Sequence, residues 1–243
     1  MEVFFNKCNT FKKIIDAIKD ICRETNIEIS ENGLQIKAMD SSHVCLVNLN
    51  LSYLIDKIIC DDSTVIAFNL EQLSKILRLF DNEAELHIVH NVNKLTLRST
   101  YESKKAQFDL SLMDIEMDHL DLPDFDYTTI IKLPTSEYNK LCNSYKEFGD
   151  SVTFQCTSEK IKINVTGDIS SGHIEIENDS NNEIIHEGDK EISFSLKYLC
   201  LFCKACSCTD YCFINLGEGI PMKLKFPLGE DDKLEFYIAP KVD

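Results

Sequence analysis

The sequence predicts an α+β fold of two topologically similar halves, built from antiparallel sheets with four amphipathic helices packed on one face. The first observation behind this is an internal repeat. Sliding the chain by 127 positions places Ile14 on Leu141, Ile18 on Tyr145 and Ile21 on Phe148, at helical spacing. The same offset places Ile27 on Phe154, Ile29 on Cys156, Leu34 on Ile161 and Ile36 on Ile163, in the alternation of half-buried strands. An offset of 126 carries on, with Phe68 on Phe194, Leu70 on Leu196, Leu73 on Leu199 and Ile76 on Phe202. The second observation is order: runs of strands interrupted by few helices argue against βαβ units. The third is charge. Ten of the 25 Lys and Arg fall on four short amphipathic segments, 9–23, 71–79, 136–148 and 197–206.

Each element has a local reason. Val3, Phe4 and Phe5 form a short apolar strand and lack the pattern of a signal peptide. In the helix predicted over 9–23, Phe11, Ile14, Ile15, Ile18 and Ile21 make the buried stripe, while Lys12, Asp16, Lys19 and Arg23 share a polar one. Ser30-Glu31-Asn32-Gly33 reads as a hairpin turn, as does Thr157-Ser158-Glu159-Lys160 at the matching place. In the second helix Lys75 and Arg78 share a face with Ser74. His87 and His90 lie on a strand, three apart, so they point to opposite faces and cannot chelate together. Pro134-Thr135-Ser136 opens the third helix, which carries Lys140 and Lys146 beside Asn139 and Asn143. The fourth carries Lys197 and Lys204. Residues 114–126 hold six acids and no Lys or Arg, with Pro123 against any regular element, and read as an extended surface connector. The domains are then 1–113, the connector 114–126, and 127–243. Residues 177–191, acidic and Asn-rich, read as a mobile loop.

The four basic segments carry a net +5 in a chain of net −16, so the remainder carries −21. A single polar helix face is ordinarily just solvated. Four of them biased alike on an acidic body form an electrostatic footprint for a polyanion. No base-reading motif accompanies them, so the contacts would be to phosphate, weak one by one and strongly salt-dependent.

Other classes find little support. No apolar run is long enough to span a membrane. Eleven Cys, an odd number with no export signal, read as free thiols in a reducing compartment. Cys200, Cys203, Cys206, Cys208 and Cys212 alone suggest zinc or an iron–sulfur cluster. A helical setting with no Gly or Pro between them favours small packed thiols, so no metal or other cofactor is expected. Asp40, Ser41, Ser42 and His43 are too close in sequence for triad geometry, and no phosphate-binding Gly loop exists. No enzyme activity is expected. A metal- or thiol-dependent enzyme built on 200–212 stays open as an alternative.

Met39-Asp40-Ser41-Ser42-His43-Val44, Ser74-Lys75-Ile76-Leu77, Leu112-Met113-Asp114 and Tyr237-Ile238-Ala239-Pro240-Lys241 are specific stretches. With them, end to end, the chain resembles the eukaryotic-type sliding clamps of the proliferating cell nuclear antigen family. The resemblance implies the DNA-clamp fold: a ring of three subunits around duplex DNA, helices inside and sheets outside. It implies a nuclear (or viral replication-site) processivity factor that tethers DNA polymerase, clamp loader and repair proteins. A checkpoint-type heterotrimeric clamp is the alternative. It places Lys12, Lys13, Lys19, Lys75, Arg78, Lys140 and Lys204 toward DNA, with Lys197 a weaker addition and Asn143 where the family usually has a basic residue.

The resemblance further implies a groove for a partner's aliphatic and aromatic docking peptide, formed by Met39, His43, Val44, Leu120, Leu122, Tyr127, Pro221, Tyr237, Ala239 and Pro240. Subunits would join edge to edge through 105–112 and 172–177, with Phe108, Leu110, Gly172, Ile174 and Ile176 at the contact. Ser158 stands where many members carry the lysine that receives ubiquitin.

Overall fold

The computed structural model describes residues 1–115, 120, 122, 124–157, 160–179 and 182–241. Ser158, half of the second expected turn, and connector residues 116–119, 121 and 123 lie outside the described residues. The chain forms two compact units, each drawn from three segments. The first takes Met1–Ser41, Val47–Asp121 and Pro227–Leu234; the second takes Ser42–Leu46, Leu122–Phe226 and Glu235–Asp243.

The first part of the chain runs β1 (Glu2–Phe5), α1 (Cys8–Ile18), β2 (Glu24–Ser30), β3 (Gly33–Met39), β4 (Cys45–Leu51), β5 (Lys57–Ile59), β6 (Thr64–Asn69), α2 (Leu70–Leu77), β7 (Glu85–Asn91), β8 (Lys94–Tyr101) and β9 (Lys104–Ser111). The second runs β10 (Thr129–Pro134), α3 (Thr135–Tyr145), β11 (Ser151–Cys156), β12 (Ile161–Thr166), β13 (Ser171–Ile176), β14 (Glu183–His186), β15 (Lys190–Ser195), α4 (Leu196–Phe202), a 3₁₀ turn (Cys203–Ser207), β16 (Tyr211–Leu216), β17 (Met222–Pro227) and β18 (Lys233–Ile238). Strands lie side by side as β5-β1-β7-β8-β9 and β4-β3-β2-β6. The same two orders recur as β14-β10-β16-β17-β18 and β13-β12-β11-β15. The α+β plan of two similar halves is therefore present strand for strand.

The repeat also holds at single hydrogen bonds. A helix leaves its first N–H groups without intrahelical partners. Cys8 N, opening α1, donates to Ala84 O (2.8 Å), in the loop after α2; Leu70 N, opening α2, donates to Arg23 O (2.8 Å), just after α1. In the other unit Thr135 N donates to Asp210 O (2.9 Å) and Leu196 N to Asp150 O (2.9 Å). These are the first unit's four positions moved by 127 or 126. Each helix start is thus capped by the chain leaving its neighbour, which fixes two helices side by side. Their apolar stripes then close the core: Phe11, Ile14, Ile15 and Ile18 with Leu70 and Leu73 in one unit, Tyr138 and Cys142 with Leu196, Leu199 and Phe202 in the other, all at most 2 % exposed. Burial of one such aliphatic side chain contributes roughly 1.5–3 kcal/mol.

The hairpin at 30–33 forms as expected, with Ser30 paired to Gly33. Gly33 is required: its φ is 139°, and an added Cβ would lie 2.2 Å from Leu51 O. Across the second turn, Thr157 N donates to Lys160 O (3.1 Å).

Three boundaries differ from expectation. α1 ends at Ile18 instead of running to Arg23. Lys19 N and Cys22 N close the last turn on Ile15 O and Ile18 O, and β2 begins at Glu24, so Arg23 is off the helix and off the face of Lys12 and Lys19. The fourth helix tightens to 3₁₀ from Cys203. The stretch 177–191 is not one loop, because Glu183–His186 pairs as β14 with β10. A four-residue strand is too short to announce itself by alternation.

Asn69 caps α2, its Oδ1 accepting from Gln72 N (3.0 Å). The equivalent Ser195 makes no such side-chain cap on α4. Asn69→Ala should therefore cost about 1 kcal/mol in urea unfolding, whereas Ser195→Ala should cost clearly less.

Candidate polyanion interface and docking surface

The helix clasp brings the basic residues of each unit together, but it does not leave them equivalent. Asp16, on α1, is the hub of the first pair. Its Oδ1 accepts from Lys19 Nζ (2.5 Å), Ser74 Oγ (2.8 Å) and Arg78 Nη2 (2.9 Å), tying α1 to α2. Burial pushes the Asp16 carboxyl up, but the bonds from Lys19, Ser74 and Arg78 outweigh it and hold the group down at about 2. Lys19 is largely covered, its side chain 10 % exposed, while Arg78 keeps 57 %. Lys12 is also engaged, its ammonium donating to Phe80 O (2.9 Å) and Asn82 Oδ1 (2.8 Å). Lys13 is half-exposed on α1. Lys75 is exposed and pairs with Glu71 one turn back (2.8 Å), a solvated surface link that is easily exchanged.

In the second unit the repeat puts Asn143 at the position of Asp16, Lys146 at that of Lys19, Cys200 at that of Ser74 and Lys204 at that of Arg78. The geometry of the hub is partly kept: Lys146 Nζ donates to Asn143 Oδ1 (3.1 Å), and Asn143 Nδ2 donates back to Asn139 O (2.9 Å). The charge is not kept. A neutral amide replaces the carboxylate, so the Lys146 ammonium is held without being neutralised by Asn143. Lys140, Lys146, Lys197 and Lys204 are all exposed. Asn143, at a place where a cation was expected, thus serves to position one.

The residues expected in a docking groove fall mainly in the second unit. The loop at His43 is exposed, with a left-handed backbone at His43 (φ 56°). Ser42 and Tyr198 share a hydrogen bond (2.7 Å), which ties that loop to α4, and Ala239 N donates to Val44 O (3.1 Å). Tyr127 lies edge-on to Phe125 (6.0 Å), under the Lys223 ammonium (4.7 Å). Tyr237 Oη donates to Glu235 Oε2 (3.2 Å), and burial followed by the Glu235 charge pushes both tyrosines up. The Tyr127 hydroxyl is buried without a hydrogen-bond partner among the described residues, a state that ordinarily costs about 1–3 kcal/mol. Val44, Leu122, Pro221 and Pro240 are half-buried and Ala239 exposed; Met39, ending β3, and Leu120 belong to the first unit and are half-buried.

β9 and β13 are among the strands that end their orders without a further neighbour. Each borders a cavity. One of about 300 Å³ opens between the end of α2 and β8–β9, beside Leu79, Phe80, Tyr101 and Lys104. One of about 500 Å³ opens between α3 and β13, beside Leu133, Lys140, Leu141, Ile174, Glu177 and Asp179. Phe108 packs on Phe80 (5.8 Å) from β9, and Leu110 is buried. On β13, Gly172 and Ile174 are exposed and Ile176 is buried. The edge of β9 opens with Lys104 and Lys105, whereas β13 is followed by Glu177 and Asp179.

Among the described residues no group of three or more His, Cys, Asp and Glu is disposed to hold a metal ion. Among the described residues no helix is long and apolar enough to cross a membrane.

Two units of one plan, each presenting a clasped pair of basic helices, define a duplicated clamp fold. Family models agree along almost the whole length: "Proliferating cell nuclear antigen, N-terminal domain" matches residues 1–121 and "Proliferating cell nuclear antigen, C-terminal domain" residues 121–241. Proliferating cell nuclear antigen of Chaetomium thermophilum is 31 % identical, the match covering 100 % of this chain and 98 % of the relative. Proliferating cell nuclear antigen 2 of Drosophila melanogaster is likewise 31 % identical, over 100 % and 98 %. The chain belongs to the proliferating cell nuclear antigen family. That match does not favour the checkpoint-type alternative.

Asp16→Asn copies the second unit's amide into the first. The native carboxyl is depressed, so its contribution is present above about pH 4, the unfolded range, and is lost as pH falls toward 2. With Asp16 44 % exposed, solvent screening leaves about 1 kcal/mol. Urea unfolding at pH 7 should show that loss, and the two proteins should converge near pH 2.

Proposed function

We propose that this chain is a DNA sliding clamp, a non-catalytic processivity factor acting in the nucleus or at a viral replication site. It would close on duplex DNA as a ring of three copies and tether a polymerase, with a clamp loader placing it there. The observation that carries this reading is the pair of clasped basic helices in each unit of an otherwise acidic chain. Sparse cations on rigid helices attract phosphate without fixing a register, as sliding requires. Lys75, Arg78, Lys140 and Lys204 are the exposed members of the expected set and carry most of the attraction. Lys13 adds to it, while Lys12 and Lys19 also brace the helices. Partner proteins dock through a short aliphatic and aromatic peptide at Val44, Leu122, Tyr127, Pro221 and Ala239.

Ring closure rests on the two open edges. Unpaired edges invite pairing, and the apolar parts of the cavities beside them, at Leu79, Phe80, Leu141 and Ile174, give the pairing something to bury. Run antiparallel, β9 sets Lys104 and Lys105 against the acidic end of β13 at Glu177 and Asp179. The contact is heterologous, and a rotation of one third of a turn per subunit closes it into a ring of three. The repeat supplies an intramolecular precedent: β18 and β4 are the counterparts of β9 and β13, and within the second unit the chain just after β18 bonds to the start of β4, at Ala239 and Val44.

Light scattering should give a trimer. Lys104→Glu with Lys105→Glu should dissociate it, and adding Glu177→Lys with Asp179→Lys should restore it; a monomeric native chain would end the proposal. On linear DNA, each of Lys75, Arg78, Lys140 and Lys204 changed to Ala should reduce the slope of log affinity against log salt by up to about 0.9. An unchanged slope would remove these residues from the interface.

A further inference from the structure

Four thiols meet where α3 crosses α4 and the 3₁₀ turn. Cys200, Cys203 and Cys206 recur every third residue, and side chains three apart stack on one side of a 3₁₀ segment. Cys142 faces them from α3: Cys200 Sγ donates to Cys142 O (3.6 Å), which brings the Cys142 thiol against those of Cys200 and Cys203. Cys203 is the centre, with Cys142 on one side and Cys206 on the other. As a thiol it also donates to Leu199 O (3.5 Å), a carbonyl that keeps the Tyr138 hydroxyl (2.9 Å) if Cys203 ionises. Packing alone does not call for this group. The repeat places Ile15, Ser74, Leu77 and Phe80 at the same four positions of the first unit, where Ile15, Leu77 and Phe80 fill space and Ser74 bonds to Asp16.

We propose that Cys203 is a peroxide-reactive thiol and that Cys206 resolves its oxidised form to an intramolecular disulfide. Donated bonds from Cys142 and Cys206 and the nearby Lys146 cation stabilise a thiolate at Cys203 against the opposing effect of burial, so Cys203 is the acidic member while Cys142 and Cys206 are pushed up and keep their protons. Cys203 and Cys206 are half-exposed, which admits a small oxidant; Cys142 is buried on a helix of 11 residues. The chemistry balances in two steps. The Cys203 thiolate attacks one peroxide oxygen, the O–O bond breaks, and the departing hydroxide takes a proton and leaves as water, giving a sulfenic acid. Cys206 sulfur then attacks Cys203 sulfur, loses its proton, and the sulfenic hydroxyl leaves as a second water. Two thiols are oxidised by two electrons and one peroxide is reduced. Side chains three apart in a helix hold their Cβ atoms about 5–6 Å apart, whereas a disulfide needs about 3.8 Å, so the turn must tighten. A five-residue 3₁₀ segment at a helix end can do so.

The test uses the full reduced chain, limiting hydrogen peroxide and quenching by alkylation, followed by tryptic mapping. Cleavage after Lys204 leaves Cys203 with Cys200 on 198–204 and Cys206 with Cys208 and Cys212 on 205–223, so fragmentation of the cross-linked pair by mass spectrometry assigns the bond. The first product should be the Cys203–Cys206 disulfide, formed at least about tenfold faster than any oxidation of Cys60, a half-exposed cysteine of the first unit. In Cys206→Ser, dimedone should trap a sulfenic acid at Cys203; in Cys203→Ser, neither product should form. Cys203 reacting no faster than Cys60 in the unaltered chain, or a first disulfide joining any other pair, would overturn the proposal.

Discussion

Each unit rests on a reciprocal clasp in which the chain leaving one helix caps the start of the other. The free N–H groups of a helix start must find acceptors, and here the four principal ones find backbone carbonyls and not side chains. Backbone capping is blind to sequence. It therefore survives in both units while identity at equivalent positions drifts from Cys8 to Thr135 and from Ala84 to Asp210. Because the clasp sets the spacing and direction of both helices, it also decides which side chains meet across them.

On that shared frame the two units have diverged in chemistry. Where Asp16 gathers Lys19, Ser74 and Arg78, the second unit has Asn143 holding Lys146. The first arrangement exchanges free positive charge for stability between helices; the second keeps the charge. An acidic body with local basic faces repels most acidic surfaces and leaves only those faces attractive to a polyanion, which suits loose phosphate contact better than a uniformly basic protein would. Where the first unit packs Ile15, Leu77 and Phe80, the second has the thiols of Cys142, Cys203 and Cys206. A packing position can acquire reactivity when small polarisable side chains replace large ones.

The strand edges show a related economy. β9 and β13 stop their sheets with exposed backbone, beside cavities whose linings are partly apolar. Such edges are a hazard in an isolated chain unless they are charged or covered. In the ring proposed above, opposite charge at their ends, Lys104 and Lys105 against Glu177 and Asp179, favours the antiparallel direction.

The sequence by itself determined the duplicated α+β plan, the four helices and their basic bias, because periodicity and charge are local properties that survive in a one-dimensional pattern. The offsets of 127 and 126 reappear as the spacing of the capping bonds. Boundaries were less legible: α1 stops at Ile18, since the route into β2 is set by where Arg23 meets Leu70, and β14 is visible only through its pairing with β10. Only the tertiary structure decided which cations are engaged, because Lys12 and Asp16 find their partners some 60–70 residues away. Only it added Cys142 to a cluster that the sequence confined to 200–212. Distance along the chain says nothing about such meetings, which depend on how two helices are clasped together.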